Sequence, residues 1–231
     1  MKRVVLFGDG QVADLAHFCL THDSAYEVAA FTVDGAYISA ATMRGLPIVP
    51  FEEVSSRYPP DDFSLFISIG YSRMNRLRES KYDAARSLGY TLITYISSKA
   101  TTWPERDIGD NCFIQENTVI QPFARIGNNV TMWSGCHVGH ESIIEDHCFL
   151  SPHVVVSGNV TVEPNCFLGA GATIRDGVTI ARECVIGAGS LIMKDTHPRE
   201  VYVGQRAKLL PTPSDRLPPS TMIGRIRLRD K

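Results

Sequence analysis

A six-residue repeat runs without a break through the second half of the chain. Every sixth residue there is aliphatic or methionine, and these residues are Ile108, Ile114, Ile120, Ile126, Met132, Val138, Ile144, Leu150, Val156, Val162, Leu168, Ile174, Ile180, Ile186 and Ile192. Four residues after each stands a small or slender side chain, and turn formers such as Asp110-Asn111 and Asp176-Gly177 lie between the two. Turn formers of this kind tolerate the left-handed backbone that a corner needs. The pattern predicts a β-solenoid of hexapeptide repeats, with three hexads in each triangular coil and therefore five coils.

Residues 1–100 follow another pattern, in which buried strands alternate with helices. Apolar runs predict strands at 3–7, 26–33, 63–70 and 91–96, and mixed polar and apolar segments predict helices through 14–20, 51–58 and 72–88. The alternation predicts a small Rossmann-like α/β domain, a parallel sheet with helices on its faces. We therefore expect this domain at 1–100, the solenoid at 101–208, and an extended or disordered tail at 209–231.

A glycine turn links the first predicted strand to the first predicted helix. Its sequence, Gly8-x-Gly10-x-x-Ala13, fits the fingerprint in which the N-terminus of a helix holds a phosphate group. Asp34 follows about twenty residues later, where an acid that binds a ribose is expected. About four strands are too few for the two halves of a dinucleotide site, so the turn indicates one nucleotide diphosphate. A tight β-α turn without a ligand is the alternative.

Composition argues against several classes of protein. The formal net charge is −2, so no bulk basic field points to nucleic acid. No apolar run approaches the roughly 18 residues of a membrane helix, and the apolar segment after Lys2 and Arg3 is too short for a secretory signal. We therefore expect a cytoplasmic protein. Five of the six cysteines fill the small inward position of the hexads, which indicates buried structural thiols. These are Cys112, Cys136, Cys148, Cys166 and Cys184.

Histidine is the side chain best suited to proton transfer near neutral pH, and four histidines fall in the repeat. His140 and Glu141 occupy a corner, so we expect an accessible imidazole with an acid beside it. Residues eighteen apart share a corner, which places Gly158-Asn159 above this pair and Pro122-Phe123 below it. His137 points outward from a flat face, and the other two histidines fall at different corners. The four cannot converge on one metal ion within a subunit, although a metal shared between subunits stays open.

The arrangement resembles a known family. The similarity covers residues 1–208 and is most specific in segments 138–144, 157–160, 165–169 and 201–204, with the sequences VGHESII, SGNV, NCFLG and VYVG. On these residues the chain resembles the NeuD-like sugar acyltransferases, which include N-acetyltransferases of nucleotide-linked 4-amino-4,6-dideoxy sugars and sialic acid O-acetyltransferases. The resemblance implies a left-handed parallel β-helix, a homotrimer without a metal, and acetyl-CoA bound between neighbouring solenoids. It also implies a role in surface polysaccharide or glycan biosynthesis.

The resemblance implies a set of site residues as well. His140 is implied to be the general base, and Glu141 the acid that accompanies it. The implied contacts with the nucleotide sugar are Gly8, Gly10, Gln11, Val12, Asp34, Gly35 and Gly70. The implied contacts with CoA are Gly158, Ala170, Ala188, Arg206 and Lys208. The glycine-rich turn of the family usually ends in Gly-His, where this chain has Gln11-Val12.

Other functions stay open beside N-acyl transfer. Acyl transfer to a sugar hydroxyl would use the same machinery. A metal-dependent protein of the γ-carbonic anhydrase kind is recognised by two histidines five residues apart plus a third, a spacing that the solenoid histidines lack. A binding or scaffold protein would show no turnover with acetyl-CoA.

One face of the predicted solenoid carries an apolar stripe. Its outward positions include Phe113, Trp133, Phe149, Phe167 and Val185, whereas another face shows mainly charged residues and threonines. A contiguous apolar patch of this size is unusual in water. We therefore expect the aromatic face to be buried between the subunits of the trimer.

Overall fold

The computed structural model describes residues 2–105, 107–207, 209 and 211–216, and its first part contains a five-stranded sheet. The strands are β1 (Lys2–Phe7), β2 (Tyr26–Val33), β3 (Thr42–Met43), β4 (Leu46–Pro50) and β5 (Phe63–Ile67). Their order is β3-β4-β2-β1-β5, and all pairs are parallel except β3 with β4. The central strand β1 ends in four buried apolar residues, as expected of a strand that pairs on both sides beneath helices.

Three α-helices accompany this sheet, α1 (Gln11–His22), α2 (Val54–Arg57) and α3 (Arg76–Ser87). Helix α1 buries Ala13, Ala16 and Leu20, which lie on one side of the helix because they are three and four residues apart. Helix α3 buries Arg78 and Tyr82 in the same way, although most of its residues are polar. This polar character is explained by the contacts that α3 makes with the solenoid.

Two-residue strands build the solenoid, one for each hexad, and further short strands flank it. In chain order they are β6 (Tyr95–Ile96), β7 (Asp107–Ile108), β8 (Phe113–Ile114), β9 (Val119–Ile120), β10 (Arg125–Ile126), β11 (Thr131–Met132), β12 (His137–Val138), β13 (Ile143–Ile144), β14 (Phe149–Leu150), β15 (Val155–Val156), β16 (Thr161–Val162), β17 (Phe167–Leu168), β18 (Thr173–Ile174), β19 (Thr179–Ile180), β20 (Val185–Ile186), β21 (Leu191–Ile192) and β22 (Val201–Tyr202). They form three parallel sheets of a left-handed β-helix, which confirms the predicted fold class.

We name the three faces and edges of this prism. The docked face contains β6, β8, β11, β14, β17, β20 and β22, the open face β9, β12, β15, β18 and β21, and the polar face β7, β10, β13, β16 and β19. The histidine edge joins the open and polar faces and holds His140. The alanine edge joins the docked and open faces and holds Ala170 and Ala188. The docking edge joins the polar and docked faces and holds Asn111 and His147.

Each corner of the solenoid turns through one left-handed residue. The angle φ lies between 51° and 74° at fourteen positions that stand six residues apart, from Asn111 to Gly189. Nine of them are asparagine or glycine, the residue types that adopt this conformation most readily. The other five are Phe123, Glu141, His147, His153 and Glu183. Each of these five costs on the order of 1 kcal/mol relative to a residue suited to the turn.

The repeat positions fill the interior of the prism. From Ile114 to Ile192, every residue of the aliphatic series is at most 5% exposed. The five cysteines of the inward positions are buried free thiols, as predicted. Burial raises the pKa of Cys112 to about 12 and that of Cys136 to about 11, so these thiols stay protonated and act as small apolar groups.

The aromatic stripe of the docked face packs against the N-terminal part of the same chain. The Tyr71 ring lies 4.9 Å from the Phe149 ring and 4.6 Å from the Phe167 ring, and Phe66 lies 5.6 Å from Phe113, between ring centroids. Phe113 and Phe149 are consequently 2% and 3% exposed. The expectation that another subunit buries this face is therefore wrong.

Polar contacts join the same two surfaces. The guanidinium of Arg78 donates to Thr131 Oγ1 at 2.9 Å and to the carbonyl oxygens of His147 and Cys148 at 2.8 and 3.1 Å. Burial lowers the pKa of Arg78 to about 10, a value at which the side chain is still charged at neutral pH. The side chain of Asn111 pairs with the backbone of Ile67, accepting at 2.7 Å and donating at 3.3 Å, as a neighbouring strand would.

Three details of the N-terminal part differ from the sequence prediction. Helix α3 begins at Arg76 rather than at residue 72, because Arg73, Met74 and Asn75 have left-handed φ angles of 52°, 53° and 63°. The strand expected at 91–96 is reduced to β6, which pairs with β8 in the solenoid. The hairpin of β3 and β4 lies where the sequence indicated a loop.

Much of the predicted tail falls outside the described residues, since 208, 210 and 217–231 are not among them. Residues Ser214–Arg216 form one 3₁₀ turn. Of the helices in the described ranges, none is long and apolar enough to cross a membrane.

Candidate active site

A cavity of about 650 Å³ opens at the carboxyl ends of β1, β2 and β5. Crevices at this end of parallel strands are the usual ligand sites of α/β sheets. Six of the seven residues expected to contact a nucleotide sugar line it, namely Gly8, Gly10, Gln11, Val12, Asp34 and Gly70. The seventh, Gly35, is not among the lining residues, and its backbone N–H donates to Glu52 Oε2 at 3.0 Å.

The two glycines of the turn have different roles. Gly8 has a φ of 130°, and a methyl group built on it would lie 2.9 Å from the Ser68 carbonyl oxygen, so any side chain there is strained. Gly10 is the N-cap of α1 with an extended backbone, and a methyl group built on it meets nothing within 4 Å. Gly8 is therefore required by the fold, whereas Gly10 leaves open space beside the cavity.

The start of α1 offers hydrogen-bond donors to this cavity. Gly10 provides no side-chain cap, and the first N–H groups of a helix have no partner within the helix. The positive end of the helix dipole adds to their attraction for an anion. Arg73 is exposed and also lines the cavity, so a cation and the helix terminus border the same space.

Asp34 does not stand alone at the end of β2. Lys81 of α3 places its Nζ 2.5 Å from Asp34 Oδ1 and lies 5.4 and 5.3 Å from the ring centroids of Phe7 and Phe51. Sequence reasoning missed both Lys81 and Arg73, since neither belongs to a motif and both lie far along the chain from the glycine turn. The one signal in the sequence was that Arg73 and Lys81 are basic residues in the segment that follows β5.

His140 is an exposed residue of the histidine edge, as predicted. Its backbone N–H donates to Gln121 Oε1 at 2.9 Å, and its carbonyl oxygen accepts from the N–H of Asn159 at 2.9 Å. The coils above and below thus fix its backbone, while the imidazole extends beyond the corner.

Gly158, one coil above, leaves the space that the imidazole occupies. A methyl group built on Gly158 would stand 2.7 Å from His140 Nε2 and 3.3 Å from Asp176 Oδ1. The N–H of Gly158 donates to Asp176 Oδ1 at 2.7 Å. The ring of His140 is therefore bordered by a bare backbone segment and a carboxylate that sequence reasoning did not single out.

Glu141 follows His140 at the left-handed position of the corner, with φ at 58°. Its side chain is exposed and, within the described residues, makes no hydrogen bond with the imidazole. The corner brings the two residues together, but the carboxylate is free to move.

The residues expected to contact CoA lie on two different edges. Gly158 belongs to the histidine edge, whereas Ala170 and Ala188 are exposed on the alanine edge. A cavity of about 460 Å³ beside Ala188 runs between the last coil and the segment around Gly204, where a methyl group on Gly204 would lie 2.4 Å from the Ala188 carbonyl oxygen. Arg206 is exposed just beyond it, and Lys208 lies outside the described residues.

The structure thus assembles three groups of residues and keeps them apart. The nucleotide cavity lies beside the docked face. The imidazole of His140 lies on the histidine edge, opposite that face, and Ala170 and Ala188 lie on the alanine edge. The open face separates the last two groups. One chain alone does not bring its predicted site residues to a single place.

Within the described ranges, no three histidine, cysteine, aspartate or glutamate residues are grouped closely enough to hold a metal ion.

Comparison with known families and curated proteins identifies the repeat. The bacterial transferase hexapeptide family (six repeats) matches residues 107–140, 124–158 and 141–176, and the hexapeptide repeat of succinyl-transferase matches residues 159–194. A segment of 49 residues is 37% identical to an acyl-[acyl-carrier-protein]–UDP-N-acetylglucosamine O-acyltransferase from Bartonella quintana. That segment spans 21% of this chain and 18% of the relative.

Solved structures match the whole two-part architecture. The perosamine N-acetyltransferase from Caulobacter crescentus, solved as a histidine-to-asparagine variant with CoA and GDP-perosamine, superposes with a TM-score of 0.78 at 26% identity over 88% of this chain and 94% of that one. The acetyltransferase domain of PglB from Neisseria gonorrhoeae, solved with acetyl coenzyme A, has a TM-score of 0.79 at 22% identity over 90% and 99% of the two chains. The second likeness concerns the fold alone.

The repeat, the α/β part docked on its aromatic face and these similarities agree. The chain is therefore similar to the hexapeptide-repeat acyltransferases over residues 107–194, and it shares the two-part architecture of the NeuD-like sugar acyltransferases.

Proposed function

We propose that the protein transfers the acetyl group of acetyl-CoA to the amine of a nucleotide-linked amino sugar, a 4-amino-4,6-dideoxy sugar in particular. The observation that carries this proposal is the combination of two sites in one chain. One is a nucleotide-sized cavity bordered by the start of α1 and Arg73, and the other is an exposed imidazole beside a bare backbone segment at Gly158. The perosamine N-acetyltransferase, which has the same architecture, was solved with CoA and GDP-perosamine.

In the proposed reaction, the nitrogen lone pair of the amine attacks the thioester carbonyl carbon and forms the new C–N bond. His140 takes the proton that this nitrogen must lose, acting as general base. The C–S bond then breaks, and the thiolate of CoA leaves and receives a proton from the imidazolium. Glu141 and Asp176 lie along the same edge, where a carboxylate can stabilise the positive charge that develops on the ring during the step.

The remaining site residues have binding roles in this proposal. Gly8, Gly10, Gln11, Val12, Asp34 and Gly70 hold the nucleotide, with the start of α1 and Arg73 facing its phosphates. Gly35 is left out, because its N–H is already bonded to Glu52. Gly158, Ala170, Ala188, Arg206 and Lys208 contact acetyl-CoA. The cytoplasm, where acyl-CoA is available, is the proposed place of action.

The proposal also requires a second copy of the chain. His140 and Gly158 lie on the histidine edge, and Ala170 and Ala188 lie on the alanine edge, so only a neighbouring solenoid can bring these groups into one groove. The open face lies between the two edges and carries Leu191 at 62% and Met193 at 45% exposure. A homotrimer with cyclic symmetry that pairs the histidine edge of each chain with the alanine edge and nucleotide cavity of the next would complete three equal sites.

The experiment is a panel of nucleotide-linked amino sugars incubated with acetyl-CoA and read by mass spectrometry. We expect acetylation of the amine of one or more 4-amino-4,6-dideoxy sugars, and loss of that product with His140→Asn. Acetylation of a hydroxyl alone would assign the protein to the O-acetyltransferases. Absence of any acetylated sugar across the panel would contradict the proposal.

A further inference from the structure

Five corners of the solenoid carry residues poorly suited to left-handed backbone, and three of these have partners within the chain. His147 accepts a hydrogen bond from Asn129 at 2.9 Å and packs on the Tyr82 ring at 5.5 Å. Glu183 is paired with Arg76 and Arg199. The His153 ring lies against the backbone of the coil below, since a methyl group on Gly135 would stand 2.4 Å from His153 Nδ1.

Phe123 and Glu141 are the other two corner residues that are poorly suited to left-handed backbone, and neither has such contacts. Phe123 has a φ of 66° and is 71% exposed, and within the described residues its ring contacts no other aromatic side chain. Both residues belong to the histidine edge, on consecutive coils. Among the left-handed corners of the described solenoid, backbone strain without a compensating contact is thus confined to the edge that holds His140. Strained residues that persist in this way cluster at functional sites.

The backbone between these two coils is also different. From Asn129 to Gly189, each left-handed corner residue donates its N–H to a carbonyl oxygen one coil below, except Glu141. The side chain of Gln121 bonds the neighbouring N–H of His140 instead. Within the described chain, the corner of Pro122 and Phe123 is therefore tied to the next coil by a side chain rather than by the usual backbone bond.

We propose that the ring of Phe123 contacts the edge of the sugar that carries C5 and C6, and so makes the enzyme prefer a 6-deoxy sugar. This inference rests on the proposed function. Consecutive coils are about 4.8 Å apart, so the ring begins one strand spacing from the residue next to the base. In a 4-amino sugar the amine is on C4, whose ring neighbour C5 carries C6. A base held against this amine therefore brings C6 within reach of a side chain on the adjacent coil.

An aromatic ring at this place favours a methyl group at C6 over a hydroxymethyl group. The methyl group gains from removal of its surface from water, whereas the hydroxyl would lose hydration against the ring without gaining a hydrogen-bond partner. Apolar contacts of this kind discriminate by about 10- to 100-fold, because an added hydroxyl is rejected only modestly.

The test compares two substrates that differ only at C6, a nucleotide-linked 4-amino-4,6-dideoxyhexose and its 6-hydroxy counterpart. For the wild type we expect kcat/KM to favour the 6-deoxy substrate by about 10- to 100-fold. Phe123→Asn should reduce this ratio to about 3-fold or less by raising KM for the 6-deoxy substrate. Asparagine suits the left-handed backbone, so the melting temperature should rise by about 1–4 °C at the same time.

His153→Asn is the matched control, since it makes the same replacement at a left-handed corner of another edge. It should raise the melting temperature similarly and keep the substrate ratio of the wild type. A Phe123→Asn enzyme with an unchanged ratio would overturn the inference. So would a changed assembly mass, which would assign the ring to a subunit contact. If the wild type acetylated neither sugar, the proposed function itself would fail, and this inference with it.

Discussion

His140 depends on the residues stacked above and below it. Gln121 holds its N–H from the coil below, and Gly158 leaves the room for its ring from the coil above. Any side chain at 158 would displace the imidazole, so this glycine fixes where the ring of the proposed base lies. A histidine followed eighteen residues later by a glycine, as His140 is by Gly158, is therefore a clearer sequence sign of this edge than the histidine alone.

The general-base role of His140 predicts a large kinetic effect with a small structural one. His140→Asn should lower kcat by about 10²–10⁴, the usual loss for a general base. The free energy of unfolding should change by no more than about 0.5 kcal/mol, because the side chain is exposed. Steady-state kinetics and urea unfolding of the same preparation check both values.

His137 is the matched control for this prediction. It lies on β12 of the open face, half-buried between Val119 and Val155 of the adjacent strands. His137→Ala should keep most of kcat as long as the assembly mass is unchanged. If His137→Ala were inactive and His140→Asn nearly fully active, the assignment of the base would be reversed.

The two glycines of the turn predict opposite outcomes. Gly10→Val should raise KM for the nucleotide sugar by about 10-fold or more with little change in kcat, because the side chain enters the cavity far from the reacting amine. Gly8→Ala should instead lower the stability of the protein by about 1–3 kcal/mol, because of the strained φ and the contact with Ser68. A normal KM in a folded Gly10→Val enzyme would locate the nucleotide elsewhere.

Residue-level prediction succeeded where chemistry depends on local spacing. His140 at a corner and the glycine turn at the end of β1 are both consequences of short-range patterns. Lys81 and Arg73 escaped because they reach the cavity from the segment after β5, and only the packing of α3 brings them near Asp34. Gly35 is a different case, since its position in sequence did not indicate that its N–H donates to Glu52 rather than facing the cavity.

At the level of elements, α3 is the connection between the two parts of the chain. It is the helix with the most polar surface, yet it buries Arg78 against carbonyl oxygens of the solenoid. A charged group at this place satisfies several acceptors at strand ends that an apolar side chain would leave unpaired. The buried side of α3 therefore faces polar groups of the solenoid. This explains why the helix shows only a weak apolar pattern in the sequence.

His147, on the docking edge, is expected to make the protein less stable at acid pH. Burial lowers the pKa of His147, and Glu79 offsets part of that effect. The unfolded chain, with the ordinary pKa near 6.5, therefore takes up the proton first. The contribution of His147 is complete above pH 6.5 and is lost as the pH falls below it. Urea unfolding of the wild type between pH 7.5 and 5 should show this decline.

His147→Asn isolates that contribution, because asparagine cannot titrate and suits the left-handed corner. The difference between variant and wild type at pH 7.5 reports the lost contacts with Asn129 and Tyr82. The change in this difference between pH 7.5 and 5 reports the titration alone, and the variant should decline less. Parallel declines of the two proteins would show that His147 does not titrate in this window.

The period of six predicted the solenoid because it fixes which side chains face inward, and this depends on sequence alone. The aromatic stripe was correctly expected to be buried. The expected covering surface, another subunit, was wrong, because the α/β part of the same chain covers the stripe. An apolar surface in a sequence indicates that something covers it and does not indicate what. The choice between another subunit and the α/β part of the same chain depends on how β6 continues from the first part into the docked face.

At the scale of the whole molecule, the docking of the α/β part decides where a partner can bind. It occupies the docked face, and the polar face carries charged groups such as Arg125, Glu145 and Glu163. The open face remains, bounded by the two edges that hold His140 and Ala188. In the proposed trimer, a subunit contact on this face would also bring the separated site residues together.

This arrangement predicts that two variants with impaired activity restore each other in part. In a cyclic trimer each site combines the His140 of one chain with the Gly10 cavity of the next. Trimers that contain both His140→Ala and Gly10→Val chains, assayed well below the raised KM, therefore include sites in which both contributions are intact. In every trimer that contains both kinds of chain, one of the three sites combines the two intact contributions, so isolated mixed trimers should show about one third of the wild-type activity.

Co-expression with two different affinity tags would isolate the mixed assemblies, and light scattering should give three chain masses for them. Each variant alone supplies the baseline, which should be about a tenth of the wild-type activity or less under the same conditions. Mixed trimers of His140→Ala with a second defect on the same edge, Gly158→Val, are the matched control, since neither chain then offers an intact histidine edge. Recovery in the first mixture and none in the second would establish that neighbouring chains share each site. Mixed trimers without recovery would place the whole site within one chain, and a monomeric mass would exclude the assembly itself.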